Sequence, residues 1–208
     1  MTEPPAWVSV GGGANLSRDP RRRAFLSRSD PSVLGLHGFA GATFLIAVNL
    51  AGWGGTAFSD ALLLVPGIVV FGGLAQLPAV LLPRHYRGMA INVVHGLLCA
   101  LFLGYGLIYL LTAVHVISDV DVPVVLRWWF GLLTLASSAA AVAIHRYGSF
   151  LALVLIVFAS GGAVTTVGLA AGIPGWRTAS ACLYIGSAVL GWLRATAIML
   201  MITSGRVP

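Results

Sequence analysis

Arg194 is the one ionisable side chain, histidines aside, that lies well inside an apolar stretch of this chain. A guanidinium stays charged and offers a planar fork of donors that matches a carboxylate. In the run Ala179–Thr203 it has two uses. It can hold an anion in a water-lined path, or its head can reach back to a polar surface while its stem lies in lipid. It stands eight residues before Ile202, and both uses fit that position. Few other polar groups keep it company: His37 and Asn49 in the first apolar run, Gln76 in the second, Asn92 and His95 in the third. Histidine titrates near neutral pH and could carry a proton. The structural alternative for each histidine is a hydrogen bond to a carbonyl of a neighbouring helix. The acids Glu3, Asp19, Asp30, Asp60, Asp119 and Asp121 all lie outside the apolar runs or at their ends. No buried carboxylate is therefore on hand to relay protons. Any proton that moves must use His37, His95 or the substrate's own acid proton.

The elements that would position these groups are six apolar runs: Val33–Ala51, Ala61–Leu82, Met89–Val114, Val122–Ile144, Ser149–Ala171 and Ala179–Thr203. A run of about 18 residues or more crosses a hydrocarbon core of roughly 30 Å as a helix. The composition agrees, with 58% hydrophobic and 9% charged residues. Between the runs stand breakers joined to charge or to interfacial aromatics, as in Gly52-Trp53-Gly54-Gly55, Pro83-Arg84-His85-Tyr86-Arg87-Gly88 and Ile173-Pro174-Gly175-Trp176-Arg177. Helix ends at a membrane surface need such residues, and the short alternating segments of a β-barrel are absent. The chain thus reads as an all-α membrane protein: residues 1–32 an Arg-rich disordered segment, residues 33–203 a six-helix transmembrane domain, and residues 204–208 a short tail.

All 12 basic residues are Arg, and the formal net charge is +6. In a chain this apolar the charge speaks of topology and not of nucleic acid. Arg18, Arg21, Arg22, Arg23, Arg28, Arg84, Arg87, Arg146 and Arg206 fall on one side, against Arg127 and Arg177 on the other. The positive-inside rule then puts both termini in the cytoplasm. Arg22-Arg23-Ala24-Phe25-Leu26 matches the core of a twin-arginine export signal. The long run and five further spans behind it make these arginines topology anchors instead. Cys99 and Cys182 lie inside spans and read as small buried apolar residues. Gly11-Gly12-Gly13 follows no strand and is no phosphate loop. Glycine is dense, with 26 in the chain, and Gly35, Gly38 and Gly41 recur near one face of the first span. In lipid such positions let helix backbones approach closely.

At the entrance to the first span the chain reads Asp30-Pro31-Ser32-Val33-Leu34-Gly35-Leu36-His37-Gly38-Phe39. This resembles the Asn-Pro-Ala-Pro-Leu-Gly-Leu signature, followed by Gly-Phe, of the acetate uptake transporter (AceTr, YaaH) family. In the second span Phe71-Gly72-Gly73-Leu74-Ala75-Gln76 resembles that family's Tyr-Gly-Gly-x-Ala-Gln. Ala195-Thr196-Ala197-Ile198-Met199-Leu200 of the sixth span is similar in character. The chain departs from the pattern at Asp30, at Val33 and after the second span, where no Ser-Tyr-Gly follows Asn92. Arg194 stands where the resemblance implies a small residue. The resemblance implies a six-helix protomer that assembles as a hexamer, with a pore through each protomer for acetate or succinate. It implies a pore constricted by apolar and aromatic residues, Phe39 first and Phe71 second. It leaves the fourth-span contribution open among Leu132, Leu133 and Leu135.

The function expected is therefore a transmembrane transporter or channel for small carboxylates, proton-linked if a histidine or the substrate carries the proton. The substrate path would run along Pro31, Leu34, Gly35, Leu36, His37, Phe39, Phe71, Gly72, Gly73, Gln76 and Arg194. The alternative is a structural or assembly subunit whose glycine faces pack partner helices and pass no solute. No catalytic set, metal cluster or cofactor motif emerges, so the chain does not read as an enzyme. The expected partners are a carboxylate substrate, the lipid bilayer and further copies of the chain, with no nucleic acid. The expected location is the bacterial inner membrane.

Overall fold

A computed structural model of the chain describes residues 31–55, 58–81, 89–146 and 148–204. The N-terminal segment, the loop around Arg84 and Arg87, and Arg206 lie outside these residues. Every described element is helical. The helices are α1 (Pro31–Ala51), α2 (Phe58–Gly67), α3 (Leu77–Leu81), α4 (Met89–Ala113), α5 (Val122–Ile144), α6 (Ser149–Ala171) and α7 (Trp176–Thr203). Six spans long and apolar enough to cross a membrane result, the second running from Ala61 to Leu81. The six spans that the sequence predicts are all present.

The second span is not one regular helix. Pro66 lies in α2, where it removes an N–H and crowds the preceding turn. Directly after it, Ile68–Gly73 winds as a π-helix and Leu74–Gln76 as a 3₁₀ turn before α3 begins. The Leu74 N–H reaches back to the carbonyls of both Val69 and Val70, which joins the wide turn to the tight one. Breaks of this kind recur at functional sites because they re-aim side chains without ending the helix.

The spans pack in sequence order around a closed ring. α1 lies against the π segment, the π segment against α4, α4 against α5, α5 against α6, α6 against α7, and α7 against α1 again. Glycines set the close approaches. A Cβ on Gly38 would stand 2.2 Å from the Phe71 carbonyl oxygen, and one on Gly72 would stand 2.3 Å from the Phe102 ring. Gly38 and Gly41 thus face the second span, while Gly35 lies against His95 of α4 and Ala79 of the second span.

The distribution of polarity is inverted relative to a water-soluble domain. Thr43, Gln76, His95, Ser137, Thr165, Ser180 and Ser187 are buried, while Leu63, Leu107, Trp128, Val142 and Leu193 are exposed on the perimeter. Backbone polar groups are satisfied within each helix, as lipid requires. Two of the buried hydroxyls bond across helices: Ser187 donates to the Val154 carbonyl at 3.0 Å and Ser180 to the Gly161 carbonyl at 3.0 Å. The protein is a multi-pass membrane protein. Cys182 departs from the buried position expected of it and faces outward, whereas Cys99 is buried.

Candidate functional site: an aromatic plug on the bundle axis

Five of the six spans send an aromatic ring into the centre of the bundle. Phe39 comes from α1, Phe102 and Tyr105 from α4, Phe130 from α5, Phe158 from α6 and Tyr184 from α7, and all are essentially fully buried. The second span supplies space instead, since Gly72 leaves room for Phe102. Phe39 meets Phe158 edge-on with ring centroids 5.0 Å apart and Phe102 at 6.1 Å. Phe158 continues to Tyr184 at 5.4 Å, and Tyr184 to Phe130 at 6.2 Å. The contacts form one continuous plug.

A cavity opens at each end of the plug. Toward the end where α1 begins, a pinched space of about 10 Å³ lies among Leu36, Phe39, Val94, His95 and Leu155. About one water fills such a volume. Toward the opposite end a vestibule of about 240 Å³ is lined by Asn49, Tyr109, Asp119, Phe130, Trp176 and Arg177 among others. Phe39 walls the first space and Phe130 the second. The central rings therefore lie between the two cavities.

Polar groups mark both edges of the plug. At the narrow end Gln76 and His95 are buried, and the Gln76 Oε1 lies 3.0 Å from the His95 Nδ1. The Gln76 amide nitrogen has no hydrogen-bond partner. Gly35 permits this pair, because a Cβ there would come within 2.7 Å of the imidazole. At the wide end the Asn49 amide donates to the Tyr105 hydroxyl at 2.7 Å and to the Tyr109 hydroxyl at 3.0 Å. Tyr105 in turn donates to Tyr109 at 3.3 Å. Inside the plug, the Tyr184 hydroxyl is buried and finds no partner at bonding geometry, although the Thr165 hydroxyl is near it.

The residues singled out in the sequence separate into groups. Pro31 opens α1. Gly35, Leu36, Phe39, Gly72, Gly73 and Gln76 are buried. His37 turns back on its own helix, with Nδ1 2.9 Å from the Val33 carbonyl, and His95 is the histidine on the axis. Leu34 is half exposed. Phe71 is 51% exposed and packs on the outer side of α1 over Gly41. Phe102, by contrast, is fully buried among the central rings. Of the three fourth-span leucines, Leu133 is fully buried while Leu132 and Leu135 are 58% and 72% exposed. Arg194 stands one heptad after Ser187, on the side of α7 that turns to α6, and is half-buried. It lines neither cavity.

Asn49 was visible as a polar residue in an apolar run, but its partners were not. Tyr105 and Tyr109 are four residues apart and so share a helix face. Nothing in that spacing shows Asn49 opposite them.

The same architecture occurs in a solved structure of the bacterial acetate channel SatP. The two superpose with a TM-score of 0.76 over 86% of this chain and 98% of the channel, at 18% sequence identity. The fold is that of the acetate channel. No protein-family profile matches the chain, and no curated sequence matches it.

Proposed function

We propose that the chain is a transmembrane channel or transporter for small carboxylates, acetate above all, and that solute crosses each protomer along the plugged axis. The observation that carries this reading is the pair of cavities meeting one aromatic plug from opposite ends, inside a fold shared with an acetate channel. A hydrophobic constriction passes little hydrated salt, because ions must shed water to enter it and the pore dewets. A small carboxylate that carries its own methyl group, or its neutral acid, meets a lower barrier. Opening also lies within thermal reach. Phe39 must leave two ring contacts, each worth about 0.5–1.5 kcal/mol beyond area burial. The unpartnered Tyr184 hydroxyl then offers a donor midway through the plug.

The path residues in this reading are Phe39, Phe102, Phe158 and Tyr184, with Gln76 and His95 at the narrow mouth. Succinate passage, proton linkage through His95 and hexamer assembly are further parts of the proposal, as are cytoplasmic termini in a bacterial inner membrane. The deciding experiment is uptake of radiolabelled acetate and succinate into proteoliposomes that hold the purified protein. Saturable acetate flux well above that of empty liposomes is expected. Flux no greater than empty liposomes for several short acids would instead favour a non-transporting assembly subunit.

A further inference from the structure

On the perimeter of the bundle, apart from the plug, α5 and α6 leave a groove of about 370 Å³ between them. Its floor is made of the small buried residues Ala141, Ala152 and Ala159, and its rims are the exposed Val142 and Ile156. Two of the hydroxyls that border it are spent on their own helices. Thr134 donates to the Phe130 carbonyl at 2.8 Å, and Ser160 to the Ile156 carbonyl at 2.9 Å. The result is a mainly apolar trough that suits hydrocarbon better than a polar solute.

The chemistry changes at one end. His145, the residue after α5, lines the groove there, and the exposed Arg146 follows it. Nearby, α6 begins at Ser149, one turn before Ala152, and no side chain caps its N-terminus. An uncapped N-terminus presents free N–H groups and the positive end of the helix dipole. A guanidinium, an imidazole and a helix N-terminus thus gather at the end of an apolar trough. An anion joined to a hydrocarbon chain complements both parts.

A neighbouring copy of the chain does not complement them. Copies in one membrane share an orientation, so each brings its own Arg146 to this level. Asp60, Asp119 and Asp121, the acids among the described residues, all lie at the other end of the bundle. Like charges would meet here without a partner. The balancing negative charge is then left to the lipid.

We propose that the groove binds an anionic phospholipid. Its phosphate sits against His145, Arg146 and the first N–H groups of α6, and one acyl chain lies along Ala141, Ala152 and Ala159. In the orientation proposed above this is the cytoplasmic leaflet, where anionic lipids attract basic residues. The site is separate from the axis and does not depend on what the axis conducts.

Native mass spectrometry of the purified full-length protein tests this, with phosphatidylglycerol and phosphatidylcholine of identical acyl chains added in detergent. The wild type should retain phosphatidylglycerol in preference. Arg146→Gln should reduce that preference about fivefold, the effect of one basic residue beside an anionic lipid. Ser138→Leu fills the trough from an exposed position and leaves the charges in place. It should lower the retention of both lipids several-fold. Melting temperature without added lipid checks the fold of each variant. Equal retention of the two lipids by the wild type, or an unaltered preference in a folded Arg146→Gln, overturns the site. Phosphatidylglycerol held as tightly by Ser138→Leu as by the wild type also overturns it, because a basic surface without a groove would then explain the binding. A change in the number of copies in Ser138→Leu, with lipid retention unaltered, would assign the groove to a second copy instead.

Discussion

Phe39 touches Phe158 and Phe102, and a side-chain Cβ at Gly191 would stand 3.3 Å from its ring. It is thus clamped between α4, α6 and α7, and truncating it removes the ring that walls the narrow cavity. Phe39→Ala should raise the leak of small solutes through reconstituted protein several-fold and broaden selectivity. Stopped-flow leak of a fluorescent dye or halide checks this, and normal tightness in a folded variant would remove Phe39 from the barrier. Phe71→Ala serves as the contrast. Its ring is half outside the bundle, so flux should stay within about twofold of wild type, the usual scale for a surface change of under 0.5 kcal/mol. Arg194 lies off both cavities on the α6 side of α7, and its head has the length to reach a polar surface. Arg194→Lys should therefore keep full flux per inserted protein, while Arg194→Gln should lower the inserted yield. A large loss of flux at equal protein level in the Lys variant would restore an anion-binding role, since a point charge cannot replace the guanidinium fork.

At the scale of elements, the second span carries the seam with α1 and the space for Phe102. Gly38 faces a backbone carbonyl, which cannot rotate away as a side-chain tip can. Gly38→Ala must then separate α1 from the π segment. Overpacking of this kind costs about 1–3 kcal/mol, and a fall in detergent melting temperature of several degrees is expected. Gly72→Ala drives instead against the Phe102 ring and the Ala42 methyl, with Cβ distances of 2.3 and 2.7 Å. Phe102 is the softer neighbour, so this variant should disturb the plug as well as the packing. Greater leak per folded channel than in Gly38→Ala, measured in the same liposomes, is the expected difference. Equal leak in the two would mean that the plug does not depend on the second span.

For the whole molecule, the ring of spans carries an apolar perimeter, and the tryptophans Trp128 and Trp176 sit beside Arg127 and Arg177 at 5.3 and 5.5 Å. Those pairs lie at the end opposite the start of α1 and suit a membrane interface. The arginine balance then gives a testable orientation. Single cysteines placed at Ser27 and Thr203 should be labelled by an impermeant maleimide only from the cytoplasmic side. Labelling of either from outside intact cells would reverse the topology. The assembly is tested in parallel by native mass spectrometry, where six copies of the 21.6 kDa chain are expected.

Hydropathy alone determined the number of spans and their limits, because lipid requires long uninterrupted apolar helices and breakers between them. The glycine positions of α1 and the second span were likewise legible as close contacts, since in lipid a missing Cβ at regular spacing has few other uses. Side-chain direction was not legible. An apolar ring looks the same in the sequence whether it faces lipid or the bundle axis, because both sides of such a helix are apolar and no polar face marks the outside. Only the closed ring of helices showed that Phe102 points inward and Phe71 outward, through a π turn that no residue pattern announced. Long-range polar pairing was decided in the same way. Asn49 lies 56 residues from Tyr105, Gln76 19 residues from His95, and such partners meet only once the backbones that carry them have packed.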